Sequence, residues 1–139
     1  MPIYSTRFRA PWVDTDTAGV VHFSNYFRYC ERTEEEFLNK IGLDYVSIAK
    51  KFHITFPRVF ASCNYKSPIR YNQMVRVDLE DVKVRNRHIK FKYKIHNESE
   101  NKEAAICEIM IASTNADIDE SVSIPDEIVK KFRGAMSDK

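Results

Sequence analysis

One long amphipathic segment with strand-like alternation on both sides constrains this chain more than any other feature. Tyr26, Cys30, Thr33, Phe37 and Ile41 recur at steps of three and four, and Phe23, Phe27, Glu34 and Leu38 run beside them. Two adjacent rows make a broad stripe, so this helix packs against a large apolar surface. Ser24 or Asn25 is suited to cap its start and Gly42 to end it. Before it, Ile3 to Arg9 alternates as a strand until Pro11. After it come a short helical turn at Tyr45 to Lys51 and four strand-like runs: Ile54 to Tyr65, Met74 to Val84, Ile89 to Ile95 and Ala104 to Ser113. The turns Arg85-Asn86-Arg87 and Asn97 to Lys102 are short and polar, which implies antiparallel neighbours. Pro125 opens a short terminal helix, Asp126 to Phe132. One long helix with such strands has one economical arrangement, an α+β fold in which a curved antiparallel sheet of about five strands wraps the helix. Its edges would be exposed in a lone copy, so a dimer is expected.

At 139 residues, with no repeat or linker, residues 1–139 read as a single domain. A net charge of +2 gives no argument for nucleic acid as a partner. No apolar run approaches the roughly 20 residues that span a bilayer, so membrane insertion is not expected. The N-terminus carries no apolar signal core, which makes the cytoplasm the default location. Cys30, Cys63 and Cys107 form no CxxC pair and read as buried free thiols rather than a metal or disulfide framework. His53, His88 and His96 show no ligand spacing, and Glu34-Glu35-Glu36 reads as a solvated face.

The chemistry-bearing stretch is Val13-Asp14-Thr15-Asp16-Thr17-Ala18-Gly19-Val20-Val21-His22-Phe23, just ahead of the helix. It brings two carboxylates, a glycine and a histidine to the positive end of a helix dipole, where free amides stabilise negative charge. Loop aspartates ordinarily shape Asx turns, so that role stands beside a catalytic one. Calcium is excluded: Asp14, Asp16 and Gly19 fall on the first, third and sixth positions of an EF-hand loop, but Ala18 and Asn25 stand where ligands are required. No other metal is expected, and the chain has neither a Gly-rich phosphate loop nor a nucleophile elbow.

The string Asp14 to Val21, followed by Asn25-Tyr26 and Glu31-Arg32, resembles the hotdog-fold thioesterases of the 4-hydroxybenzoyl-CoA thioesterase family and their Tol–Pal-associated bacterial relatives. Ala61-Ser62-Cys63-Asn64, Tyr65-Lys66-Ser67-Pro68 and Arg85-Asn86-Arg87 extend the likeness over nearly the whole chain. The resemblance implies a hotdog fold and hydrolysis of an acyl-CoA to a free acid and CoA, without cofactor. It implies Asp16 as nucleophile or general base, with Asp14 and Gly19 supporting the loop. Backbone amides around His22 and Phe23 would polarise the carbonyl, and Arg85 and Arg87 would hold CoA phosphates. It further implies a site between subunits, lined by the partner subunit's Arg58 to Ser62, in a dimer or tetramer.

Chemistry agrees with that assignment. Thiolate is a good leaving group, so one carboxylate and an oxyanion site suffice; an oxyanion donor is worth about 2.7–4 kcal/mol in other hydrolases. Arginine suits phosphate because it binds bidentately. His22 reads as a contributor of shape and backbone amide rather than as a second acid–base group. Glu31 is the better candidate among the helix acids for a supporting role. Phe56, Phe60 and Tyr65 read as sheet core or as the lining of an aromatic acyl pocket. Two rivals remain open at this point: a thioesterase acting on an acyl carrier protein, and a hotdog protein that binds acyl thioesters without turnover.

Overall fold

The computed structural model describes residues 1–137. In chain order these form β1 (Tyr4–Arg9), α1 (Asn25–Lys40), α2 (Tyr45–Phe52), β2 (Ile54–Thr55), β3 (Arg58–Tyr65), β4 (Met74–Val84), β5 (His88–Asn97), β6 (Lys102–Ala112), β7 (Thr114–Asn115) and α3 (Asp126–Ser137). The main sheet has the order β1-β4-β5-β6-β3 and is antiparallel throughout. Strands β4, β5 and β6 form a meander, and the expected long strand at Ile54 to Tyr65 is divided. Its first part, β2, pairs with β7, whereas β3 crosses to the far edge beside β6. Phe56-Pro57 interrupts it because proline cannot donate to a ladder.

The sheet's inner face is a continuous apolar layer. Val75, Val77, Leu79, Val82, Ile89, Phe91, Tyr93, Ile95, Ala105, Cys107, Ile109 and Ile111 are all buried. The step of three from Leu79 to Val82 is not simple alternation: a bulge between Leu79 and Asp81 resets the phase. Further irregularities at Ile95/His96 and Arg58/Phe60 add the twist with which the sheet curves around α1. On α1, Tyr26, Cys30, Thr33, Phe37 and Leu38 fill the concavity.

The helix ends as the sequence predicts. Gly42 stands at φ +79°, and Leu43 N–H donates to the Leu38 carbonyl at 2.8 Å while Gly42 N–H donates to Asn39 at 3.1 Å. This pair of bonds closes the last carbonyls in a Schellman arrangement, whose left-handed residue favours glycine. Its start differs from expectation. Ser24 lies in helical space and neither its side chain nor that of Asn25 caps the helix; the Asn25 amide instead donates to the Asp14 carbonyl at 2.9 Å. Helix α2 is capped by Asp44, which accepts from Ser47 N–H at 2.8 Å. Helix α3 runs five residues past the expected end at Phe132 and buries Ile128 and Phe132.

The cysteines are free, but only Cys30 and Cys107 are buried; Cys63 on the edge strand is half-buried. Strand β3 is the molecule's unfinished side. Val59, Phe60 and Tyr65 are each about half exposed along it. None of the described helices is long and apolar enough to cross a membrane.

Candidate active site

The loop between β1 and α1 is fixed by its own backbone. A one-turn helix at Trp12–Asp14 leads into a narrow ladder in which Thr15 bridges Val21, and Asp16 N–H donates to Val20 O at 2.9 Å. Val21 N–H donates to Ile69 O at 2.7 Å, tying the loop to the segment ahead of β4. Gly19 sits at φ +79°, a conformation that side-chain-bearing residues rarely adopt, while the space where a Cβ would lie is open within the protomer. The glycine is therefore required by the turn itself and not by crowding inside one copy.

The two aspartates separate cleanly. Asp14 is held: its carboxylate accepts the Tyr29 hydroxyl at 2.7 Å, and its carbonyl accepts both His22 N–H at 2.8 Å and the Asn25 amide at 2.9 Å. Burial first, then the bond to Asp14, pushes the Tyr29 hydroxyl well above its ordinary pKa, so it remains a donor. Asp16 is exposed, and only its Oδ1 is engaged, accepting Ala18 N–H at 2.9 Å and Val20 N–H at 3.4 Å. Its Oδ2 has no partner among the described residues. One oxygen of Asp16 thus shapes the Asx turn, and the other is left unengaged.

The two amides expected to form an oxyanion site also separate. His22 N–H is engaged by Asp14 O, so it is not free to polarise a substrate. Its ring turns to Ser24, with Nδ1 2.7 Å from the Ser24 hydroxyl. Phe23 N–H has no acceptor among the described residues, and the Phe23 side chain is 65% exposed. Phe23 is therefore the open donor at the positive end of α1. The Tyr65 hydroxyl on β3 donates to the Phe23 carbonyl at 3.0 Å, and its ring meets Tyr26 edge-on at 4.9 Å. Burial, then the neighbouring Cys63 and Cys107 thiols, push the Tyr26 hydroxyl up to about 12.

Glu34 corrects the solvated-face reading of Glu34-Glu35-Glu36. Glu35 and Glu36 are exposed, but Glu34 is fully buried. Arg58 grips it bidentately, with Nη1 to Oε1 at 2.9 Å and Nη2 to Oε2 at 3.2 Å, and also reaches Glu31 at 3.2 Å. The Tyr45 hydroxyl donates to Glu34 as well. The signal was present in the sequence, since Glu34 lies on the apolar row with Phe27 and Leu38. Arg58 and Ser62, expected to line one pocket, lie on opposite faces of β3: Arg58 pairs with the buried Ile111, and Ser62 with Glu108 on the outer face. The extra residue at Val59 changes the phase between them.

Arg85 and Arg87 are exposed in the β4–β5 turn, and no side-chain partner among the described residues holds either one. They stand at the far end of β4 from the Asp16 loop, which lies beside Ile69 and Arg70. Eleven strand residues separate the two ends by roughly 33 Å. One protomer therefore does not bring Arg85 and Asp16 together. A surface cavity of about 470 Å³ lies at the other end of α1, against Phe37, Lys40 and Ile41. The histidines are not all isolated, since Asp78, Glu80 and His96 place ligand-type atoms within 4.8 Å of one another on the sheet's outer face. Arg76 already forks onto Asp78 at 3.1 and 3.3 Å, and this positive charge opposes a cation there.

The sequence profile of the thioesterase-like superfamily matches residues 10–132. The chain belongs to the thioesterase-like superfamily. Its class is that of enzymes that hydrolyse thioesters. An esterase candidate from Aquifex aeolicus is 30% identical to this thioesterase over 127 residues, covering 91% of this chain and 95% of the relative. A 1,4-dihydroxy-2-naphthoyl-CoA hydrolase of Prochlorococcus marinus is 33% identical over 94 residues, 61% of each chain. Among solved structures, a 1,4-dihydroxy-2-naphthoyl-CoA thioesterase from Synechocystis superposes with a TM-score of 0.85 at 19% identity, over 97% of this chain and 96% of that one. The thioesterase has the hotdog fold.

Proposed function

We propose that this protein hydrolyses acyl-CoA thioesters with Asp16 driving attack on the carbonyl and Phe23 N–H receiving the oxyanion. The observation that carries the reading is the coincidence of one unengaged carboxylate oxygen and one unengaged amide on a single rigid loop at the start of α1. In the direct route Asp16 Oδ2 attacks, the C–S bond breaks, CoA leaves as thiolate, and water then attacks the Asp16 carboxyl carbon of the mixed anhydride, restoring the aspartate and releasing the acid. In the general-base route Asp16 takes a proton from the attacking water. Neither route calls for a metal or cofactor. A single turnover in ¹⁸O-water separates them, because only the direct route leaves the product's first new oxygen derived from the enzyme.

The acyl group we propose is a hydroxyaromatic one. The names of the Prochlorococcus and Synechocystis relatives support this, as do the exposed aromatic side chains of Phe23 and Tyr65 at the open amide. The 4-hydroxybenzoyl and Tol–Pal-linked branches differ in acyl group and define the panel to be tried. We further propose a dimer or larger oligomer built on the exposed β3 edge, in which a partner supplies the arginine pair at the nucleotide end. Turnover of naphthoyl-, hydroxybenzoyl- and short straight-chain acyl-CoAs by wild type and Asp16→Ala tests the reading. Near-wild-type activity of Asp16→Ala on the panel would overturn it. Equal efficiency on acyl-CoA and acyl-pantetheine would instead favour a carrier-protein substrate, and tight binding without product a ligand-binding role.

A further inference from the structure

Of the two peptide groups that flank the proposed oxyanion donor, the one on its C-terminal side is held only weakly by the helix. Phe23 lies two residues before α1; the peptide that carries its N–H is held by Asn25 N–H donating to His22 O at 2.9 Å, and the His22 ring accepts Ser24 N–H at 3.3 Å, but from the helix the Phe23 carbonyl receives only a long 3.4 Å bond from Tyr26 N–H. A donor that works by preorganisation must nonetheless be fixed before the charge develops. The residue that reaches this segment comes from 42 positions away, on the edge strand. The Tyr65 hydroxyl donates to Phe23 O at 3.0 Å, while the Tyr65 ring is locked edge-on against the buried Tyr26 of the first helical turn.

We infer that Tyr65 is a positioning residue that fixes the Phe23–Ser24 peptide, and through the Phe23 backbone the adjoining N–H that receives the oxyanion, and couples both to strand β3. This rests on the thioesterase reading of Asp16 and Phe23 given above. Three observations support it. The hydroxyl is a reliable donor: burial first, then the neighbouring Cys63, pushes its pKa well above the ordinary tyrosine value. The ring and the hydroxyl have separable roles, since packing on Tyr26 needs only the ring and the bond to Phe23 only the oxygen. And β3 is anchored at both ends of its inner face, by Arg58 on the buried Glu34 and by Tyr65 on Phe23, so a displacement of this edge is transmitted to the amide.

Tyr65→Phe tests the inference because it keeps the ring and removes one bond. We expect kcat to fall about tenfold or more, since small misplacements of catalytic groups can cost up to ~10²-fold, while KM and the melting temperature stay at wild-type values. Binding of a non-hydrolysable thioether analogue of the substrate should be unchanged, because it develops no oxyanion. Amide hydrogen exchange at Ser24 and Asn25, whose N–H groups are bonded within this turn, should accelerate while the rest of α1 keeps its protection, and the exposed Tyr71→Phe should change nothing. Wild-type kcat in Tyr65→Phe, unchanged exchange at Ser24 and Asn25, or a kcat loss matched by lower thermal stability would each overturn the inference. If wild type itself hydrolyses no thioester, the proposed function falls, and the exchange measurement alone still decides whether Tyr65 holds Phe23.

Discussion

At the scale of single residues, chemistry follows from which polar atoms the backbone leaves unpaired. Asp14 and Asp16 are two positions apart and chemically alike, yet Asp14 is closed off by Tyr29, His22 and Asn25 whereas Asp16 keeps one oxygen open. Asp16→Asn preserves the Oδ1 acceptor of the turn and removes the base. Steady-state kinetics should therefore show turnover falling by about 10²–10⁴-fold, the usual contribution of a positioned base, with an unchanged melting temperature. Glu34 follows a different logic. Replacing it with Gln leaves the Arg58 guanidinium without its buried countercharge, which typically costs about 3–5 kcal/mol. Because a third of the Arg58 side chain remains exposed, the lower end of that range is expected in urea unfolding. Glu35→Gln, one residue away on the exposed face, should stay within about 0.5 kcal/mol of wild type.

At the scale of elements, ends and irregularities matter more than the regular middles. The apolar periodicity of α1 and the alternation of β4, β5 and β6 are local properties of the chain. They were legible because burial on one face imposes them. Gly42 was legible for the same reason, since a helix closed by a left-handed residue favours glycine. Gly42→Ala should cost about 1 kcal/mol, the usual penalty for a non-glycine residue at positive φ, and thermal unfolding would register it as a lower melting temperature with the fold intact. The uncapped start of α1 was not legible: Ser24 has a capping side chain, but it bonds to His22 instead. Bulges were equally hidden. A single extra residue at Val59 places Arg58 and Ser62 on different faces, and no composition rule announces it.

At the scale of the whole molecule, the site proposed here is spread along a sheet too long for one copy to fold back on. Asp16 and Arg85 lie at opposite ends of β4, and β3 presents an exposed edge that a second copy can extend. If two copies share each site, mixing inactive Asp16→Asn with a weakened Arg85→Ala/Arg87→Ala variant should recover part of the wild-type rate at saturating protein. The mixed dimer rebuilds one complete site, so up to about a quarter of wild-type activity is expected from random exchange of equal amounts, one intact site in each of half the dimers. A rate in the mixture equal to the average of the two variants assayed alone would reject the shared site. By itself the sequence determined the element order, the helix stripe, the Gly42 stop and the motif loop, because each is written in short-range pattern. Only the tertiary structure decided that β3 crosses to the far edge, that Glu34 is buried against Arg58, and that His22's amide is engaged while Phe23's is open. Those depend on hydrogen-bond partners from eight to dozens of residues away or on bulge-set phase, and a local pattern carries no record of either.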